Sequence, residues 1–243
     1  MNNEHPALFS ASMIIAILEN RKFQTRRTIV LPKGMSSPSK DEVFEMDRRL
    51  IGGSITGKWV PWPFAISNKT GCLAAIECPY GERGDKLFAR ETWECRNVGG
   101  RVPLYQIRYA ADGYTRMATP AEVLRKRKDR TYPSIFLPKG LSRLWLGVQE
   151  IRVQRVQDIT AEDAIAEGLK AITKDGKTFK YGIPDRDGLP GSDDLGWDWQ
   201  DWQEDPVAAY ARLWDSINKD RGCGWDENPY VWAVTFNPIV ACA

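Results

Sequence analysis

The chain has 243 residues, 42% of them hydrophobic and 27% charged, with a formal net charge of +2, the composition of an ordinary folded globule. No apolar run approaches the roughly 20 residues that a membrane span needs. The opening segment MNNEHPALFSASMIIAIL carries no basic n-region, so neither a membrane span nor a secretory leader is expected. The single histidine, His5, leaves almost nothing from which to build a His-containing zinc site, a Ser-His-Asp triad or a Cys-His pair. Any chemistry therefore falls on Lys, Glu, Asp, Thr, Tyr or Cys, and no cofactor or metal is expected. Five cysteines, odd in number and without a CxxC pair, point to free thiols in a reducing, cytoplasmic compartment.

The length favours one domain carrying insertions. Charge is unevenly placed along it. Residues 101–157 hold twelve Arg or Lys against four Asp or Glu, whereas residues 158–205 hold five against thirteen. The two segments either neutralise each other or set a basic, anion-facing surface beside an acidic insert.

In chain order, Ser12 is a candidate cap for a short helix with Met13, Ile14, Ile17 and Leu18 at helical spacing. The basic segment NRKFQTRR (20–27) leaves that helix, and Thr28–Val30 follows as a strand. Residues 32–70 form a Gly-, Pro- and Ser-rich insert with one short helix near Asp41–Leu50. Strands are expected at Cys72–Cys78, Leu87–Trp93 and Leu104–Ala110, and a basic helix starts at Thr119-Pro120. Leu144–Val148 and Ile151–Val156 are strongly strand-like, with Arg155 on the apolar side of the alternation, the mark of a polar pocket or a strand end. Thr160 and Asp163 make a capping-box-like start for a helix over Ala161–Leu169, which Gly168 helps to end. Residues 171–204 form a second insert with Trp197, Trp199 and Trp202 among acids. Asp205-Pro206 opens an amphipathic helix to about Asn218, and Val231–Phe236 is the last strand. The expected class is α+β, with short strands in a small mixed barrel, flanking helices and two long inserts.

Four stretches, ILENRKFQTRR (17–27), YGERGDKLFARETW (80–93), the run from YPSIFLPKGLSR through LWLGVQEIRVQRVQDITAEDAIAEGL (132–169), and LWDSIN with WDENPYVWAVTF (213–236), resemble in order and spacing the ASCH domain family, in its phage and prophage branch. The sequence departs from that branch at Phe136-Leu137, where His-Met is frequent, and at Phe23, where Thr is common. The resemblance implies a PUA-like β-barrel related to RNA-binding domains, extending over 1–243 outside the two inserts, and, for a phage-encoded chain, residence in the host cytoplasm. A small bacterial member of the wider family hydrolyses N(4)-acetylcytidine with a Lys, a Thr three residues later and a distant Glu. Alignment to it assigns those roles to Lys22, Thr25 and Glu167.

Amide hydrolysis requires a nucleophile, a proton acceptor and a donor for the developing oxyanion. In one arrangement Thr25 attacks and a neutral Lys22 takes its proton. In the other, Glu167 activates water, a protonated Lys22 steadies the oxyanion and Thr25 orients the substrate. Without the resemblance, Lys22 is one of several solvated cations, Thr25 a loop cap and Glu167 an exposed helix residue. Arg21, Arg26, Arg27, Arg90, Glu91, Trp93, Arg152 and Arg155 are the candidate contacts to a nucleoside or single-stranded nucleic acid, with Trp93 either core or a wall on which a base stacks. Three functions compete: hydrolysis of an N-acylated pyrimidine base or nucleoside; binding or cleavage of RNA, or binding of modified DNA; and protein contact through the Trp197, Trp199 and Trp202 insert.

Overall fold

The computed structural model describes residues 3–30, 35–36, 64–67, 73–99, 104–123, 128–192 and 194–239. The helix expected near Asp41–Leu50, Cys72 and the middle of the basic helix after Thr119-Pro120 lie outside them.

The elements run in the order β1 (Glu4–Leu8), α1 (Ala11–Leu18), β2 (Gln24–Thr28), β3 (Met35–Ser36), β4 (Phe64–Ser67), β5 (Leu73–Ala75), β6 (Lys86–Arg90), β7 (Trp93–Asn97), β8 (Tyr105–Tyr109) and β9 (Thr115–Ala118). They continue through α2 (Pro120–Val123), β10 (Arg130–Tyr132), β11 (Trp145–Arg155), α3 (Ala161–Ala166), β12 (Lys170–Thr173), β13 (Phe179–Gly182), α4 (Pro206–Asn218) and β14 (Tyr230–Ile239). The class is α+β.

The main sheet has the order β1-β6-β11-β14-β2, with β1 parallel to β6 and every other neighbour antiparallel. Its apolar face packs on α1 through Ile14, Ile17, Leu87, Leu146, Val234 and Phe236. The two expected strands at 144–156 are one strand, β11, with its register shifted between Val148 and Glu150, so the break in the apolar pattern is a bulge rather than a turn. Arg155 is the last residue of that strand.

No backbone pairing joins β2 to β1 among the described residues, so the short strands are not closed into a barrel by hydrogen bonds. The gap between the two sheet edges is instead spanned by a side chain: Arg27 Nη2 donates to the Leu8 carbonyl.

A second, antiparallel sheet, β10-β7-β8-β9, has its own core around Trp93, Ile107, Tyr109 and Tyr132. A third core joins α3 and α4 through Ala164, Leu169, Tyr210 and Trp214. The insert at 171–204 folds onto this region. Its hairpin β12–β13 pairs antiparallel, and Trp202 is 1% exposed with its Nε1 donating to the Trp197 carbonyl at 2.9 Å. A Cβ on Gly182 would stand 2.5 Å from the Trp202 ring, so only glycine admits that indole. Trp197 packs against the third core, and Trp199 lies against Trp202 and under Lys174. The three tryptophans of this acidic insert thus pack on their own chain.

Two local expectations shift. The cap of α1 is Ser10 rather than Ser12, its Oγ accepting from Met13 N at 3.4 Å. The strand expected at Thr28–Val30 begins four residues earlier, inside the basic segment, where Arg26 meets carboxylates rather than water. His5 lies in β1 with Nε2 3.4 Å from Asp85 Oδ2. Among the described residues no helix is long and apolar enough to cross a membrane, and no cluster of three or more His, Cys, Asp or Glu is placed to hold a metal.

Candidate functional site

Helix α3 ends where Gly168 takes a φ of 107°, and its last carbonyls face the turn that follows α1. A Cβ at Gly168 would meet the Cβ atoms of Ala16 at 3.0 Å and Lys22 at 3.1 Å. Glycine therefore permits both the backbone turn and the approach of the two segments. Phe23 N donates to the Ala166 carbonyl at 2.9 Å, and Lys22 and Glu167 form an isolated antiparallel bridge.

This docking drives the Lys22 side chain into the interior, where it is 0% exposed. Its Nζ donates to Glu167 Oε2 at 2.8 Å, to the Glu167 carbonyl at 2.7 Å and to the Gln24 carbonyl at 2.8 Å. An ammonium has three N–H groups, and all three are used. Burial pulls the Lys22 pKa below the ordinary lysine value, while the Glu167 carboxylate opposes that shift. Three oxygen acceptors at 2.7–2.8 Å, one of them a carboxylate, favour the protonated form. The negative end of the α3 dipole adds to the same effect.

Glu167 and Asp163 are four residues apart and share one face of α3. Opposite them on β2, Gln24 and Arg26 share one strand face. Arg26 Nη2 donates to Asp163 Oδ2 at 2.7 Å, its Nη1 donates to Glu167 Oε1 at 3.2 Å, and Gln24 Nε2 donates to Asp163 Oδ1 at 3.1 Å. Burial alone would raise the Asp163 pKa, but hydrogen bonds from Arg152 and Arg26 outweigh it and hold the carboxyl below its ordinary value. Tyr210, buried against this cluster with Arg26 Cζ 5.8 Å from its ring centre, is held a neutral phenol by burial and by the nearby Glu167 charge.

A cavity of about 470 Å³ opens along the free edge of β2, within the range of small-molecule sites. Thr25, Arg26, Arg27, Arg90, Glu167 and Tyr210 contribute to its wall, with Leu8, Tyr80 and Trp214 among the apolar and aromatic surfaces. Thr25 is 1% exposed. Ile29 N donates to the Tyr230 carbonyl, and Phe236 N donates to the Phe23 carbonyl. Strand alternation from these two bonds turns the N–H and C=O groups of Gln24, Arg26 and Thr28 toward the cavity side.

The structure thus brings Lys22, Thr25, Glu167, Arg26, Arg27 and Arg90 to one place. It places Glu91, Trp93 and Arg155 elsewhere, while Arg152 and Arg21 meet only the rim of this cluster. Glu91 is buried under Arg143, whose Nε and Nη2 donate to its two carboxylate oxygens at 2.8 and 2.9 Å; burial raises the Glu91 pKa while that guanidinium opposes the rise. Trp93 stacks on Tyr132 at 4.9 Å inside the second core rather than on a cavity wall. Arg155 donates to the Asn228 carbonyl and lies 3.7 Å from the Tyr230 ring centre. Arg152 pairs with Asp163 at 2.9 Å, and Arg21 with Glu19 and the Gly168 carbonyl. Sequence reasoning missed Asp163 as more than a cap residue, although its spacing from Glu167 marks a carboxylate pair on one helix face. It also missed Tyr80, Tyr210 and Trp214 as cavity walls, for which the sequence carries no signal beyond residue type. Compared with family models, curated proteins and solved structures, the chain matches none.

Proposed function

We propose that the chain hydrolyses the amide of an N-acylated pyrimidine base or nucleoside, of the N(4)-acetylcytidine kind, in a pocket of the PUA-like, ASCH-type fold that the sequence resembles. The observation that carries this reading is the buried Lys22–Glu167 pair, with Glu167 among the residues that line a nucleoside-sized cavity. A buried charged pair costs desolvation and is weak as a stabilising device, which favours a chemical role for the carboxylate.

Glu167 accepts a proton from a water molecule as that water's oxygen bonds to the acyl carbon. The tetrahedral oxyanion is met by the Arg26 main-chain N–H at the free edge of β2. The C–N bond then breaks, and the proton held by Glu167 passes to the leaving exocyclic nitrogen, giving a carboxylic acid and the free pyrimidine. Lys22 has no donor to offer a substrate and makes no bond to Thr25; it holds Glu167 in position. On this reading Lys22 is neither the general base nor a direct oxyanion donor. Thr25, on the cavity wall, orients the substrate.

A non-catalytic RNA or modified-DNA module is supported less well. Of the arginines it would need on phosphates, which also include those of 125–130, Arg152 is engaged by a carboxylate of its own chain and Arg155 by a carbonyl and a tyrosine ring. Release of acetate and cytidine from N(4)-acetylcytidine by the wild-type chain, abolished in E167Q, is the expected result. Absence of turnover in the wild type, or undiminished turnover in E167Q, refutes the reading.

A further inference from the structure

Ion pairing of arginines in this chain is selective. Arg26 faces Asp163 and Glu167, and Arg143 faces Glu91 and Asp112. Arg27 and Arg90 line the same cavity as Glu167, yet neither has a carboxylate within ion-pair distance among the described residues. Both are half-buried and both are held in place by neutral groups. Arg27 donates from Nη2 to the Leu8 carbonyl, with its Cζ 5.4 Å from the Phe9 ring centre. Arg90 donates from Nη1 to the Ile135 carbonyl at 3.2 Å, with its Cζ 5.2 Å from the Phe88 ring centre.

Both side chains line one cavity, beside one stretch of β1. Leu8, whose carbonyl Arg27 reaches, is the cross-strand partner of Arg90, and Phe9 N donates to the Arg90 carbonyl. Arg27 Nη1 and Arg90 Nη2 make no hydrogen bond among the described residues. The Nε–H groups of both arginines are buried and likewise without a partner. Two preorganised guanidiniums, partly desolvated and lacking counter-charge, define an anion seat, and their planar forks suit the oxygens of a phosphate. Arg221, on the same cavity wall, adds a third positive charge.

The geometry points to a 5′-phosphate as the group this seat holds, so that the substrate class is the nucleotide rather than the nucleoside; the assignment rests on the pyrimidine reading of the cavity. Thr25 and Arg27 are two residues apart on one face of β2, about 7 Å along the strand. The pyrimidine then lies toward Glu167 and Tyr210, and the phosphate at the seam between the edge strands.

Titration calorimetry on the full chain with cytidine, cytidine 5′-monophosphate, inorganic phosphate and a 5′-phosphorylated single-stranded oligonucleotide tests this seat independently of turnover. The monophosphate is expected to bind at least about tenfold more tightly than cytidine, one charge-assisted contact being of that order. R27Q and R90Q are each expected to shrink that ratio by about the same factor, with R27K and R90K, which keep the charge and lose the fork, falling between. Circular dichroism confirms that the variants fold. Equal affinity for nucleoside and nucleotide, no binding of either, or a ratio untouched by both substitutions overturns the seat. So does oligonucleotide or phosphate binding with no preference for the mononucleotide. A preserved preference with no amide cleavage sinks the hydrolase reading alone, whereas equal cleavage of acetylated nucleoside and nucleotide, with equal binding, sinks the seat alone.

Discussion

Lys22 and Glu167, 145 positions apart in the chain, are joined twice: the lysine Nζ donates to the glutamate carboxylate at 2.8 Å and to the main-chain carbonyl of the same residue at 2.7 Å. One side chain therefore ties down both the reactive group and the backbone that carries it. The glutamate sits at the C-terminal cap of α3, where a helix would otherwise fray.

Removing the ammonium should be costly. Lys22→Met leaves two buried carbonyls and a buried carboxylate without their donor, and urea unfolding should show a loss of about 3–5 kcal/mol, the size seen when one partner of a buried pair is deleted. Lys22→Met combined with Glu167→Leu should recover part of that loss, since the uncompensated charge goes with the partner. A near-neutral single variant would mean that water reaches the pair.

Glu167→Gln is nearly isosteric, and its amide oxygen still accepts from Lys22. Acetate release from N(4)-acetylcytidine should fall by about 10²–10⁴-fold, the contribution of a positioned general base. Calorimetric binding of cytidine should persist. A parallel loss of binding and turnover would assign Glu167 to substrate recognition instead of proton transfer.

Asp163 and Glu91 predict pH effects of opposite sign. The Asp163 carboxyl titrates below its ordinary value of 3.8 in the folded chain, so its bonds to Arg152 and Arg26 stabilise the fold above that pH and fade as pH falls through the lower folded value. Denaturant midpoints should drop in that acid window for the wild type and flatten there in Asp163→Asn. The Glu91 carboxyl titrates above its ordinary 4.5, so stability should decline as pH rises from there through the higher folded value, a slope that Glu91→Gln removes.

Gly168→Ala tests the closeness of α1, Lys22 and α3. Its Cβ would stand 3.0 Å from the Ala16 Cβ on a backbone with a φ of 107°. A destabilisation of about 1–3 kcal/mol is expected from left-handed strain, with further loss from the contact. Because Glu167 precedes this glycine, turnover should fall more than stability at a temperature where the variant is fully folded.

Much of the frame was legible in the chain itself. Alternation of Ile151 and Val153 with Arg152 and Gln154 marked the second half of β11, the apolar run Val231–Phe236 marked β14, Thr160 and Asp163 marked the start of α3, and Asp205-Pro206 marked α4, because turn chemistry and side-chain pattern are local properties. Lys22, Thr25 and Glu167 were assigned by resemblance alone, since nothing in a basic segment and a helix end announces that they meet. The strand at Gln24–Thr28 was missed for the same reason. Five polar or basic residues in a row are read as solvated until the acidic face of α3 is placed against them. Only the tertiary structure decided that Lys22 has all its donors occupied and that, among the described residues, Arg26 meets carboxylates while Arg27 and Arg90 do not and the main sheet stops short of closure at the seam where the cavity lies. Those outcomes depend on desolvation and on which charges face each other, quantities set by packing between segments over a hundred residues apart.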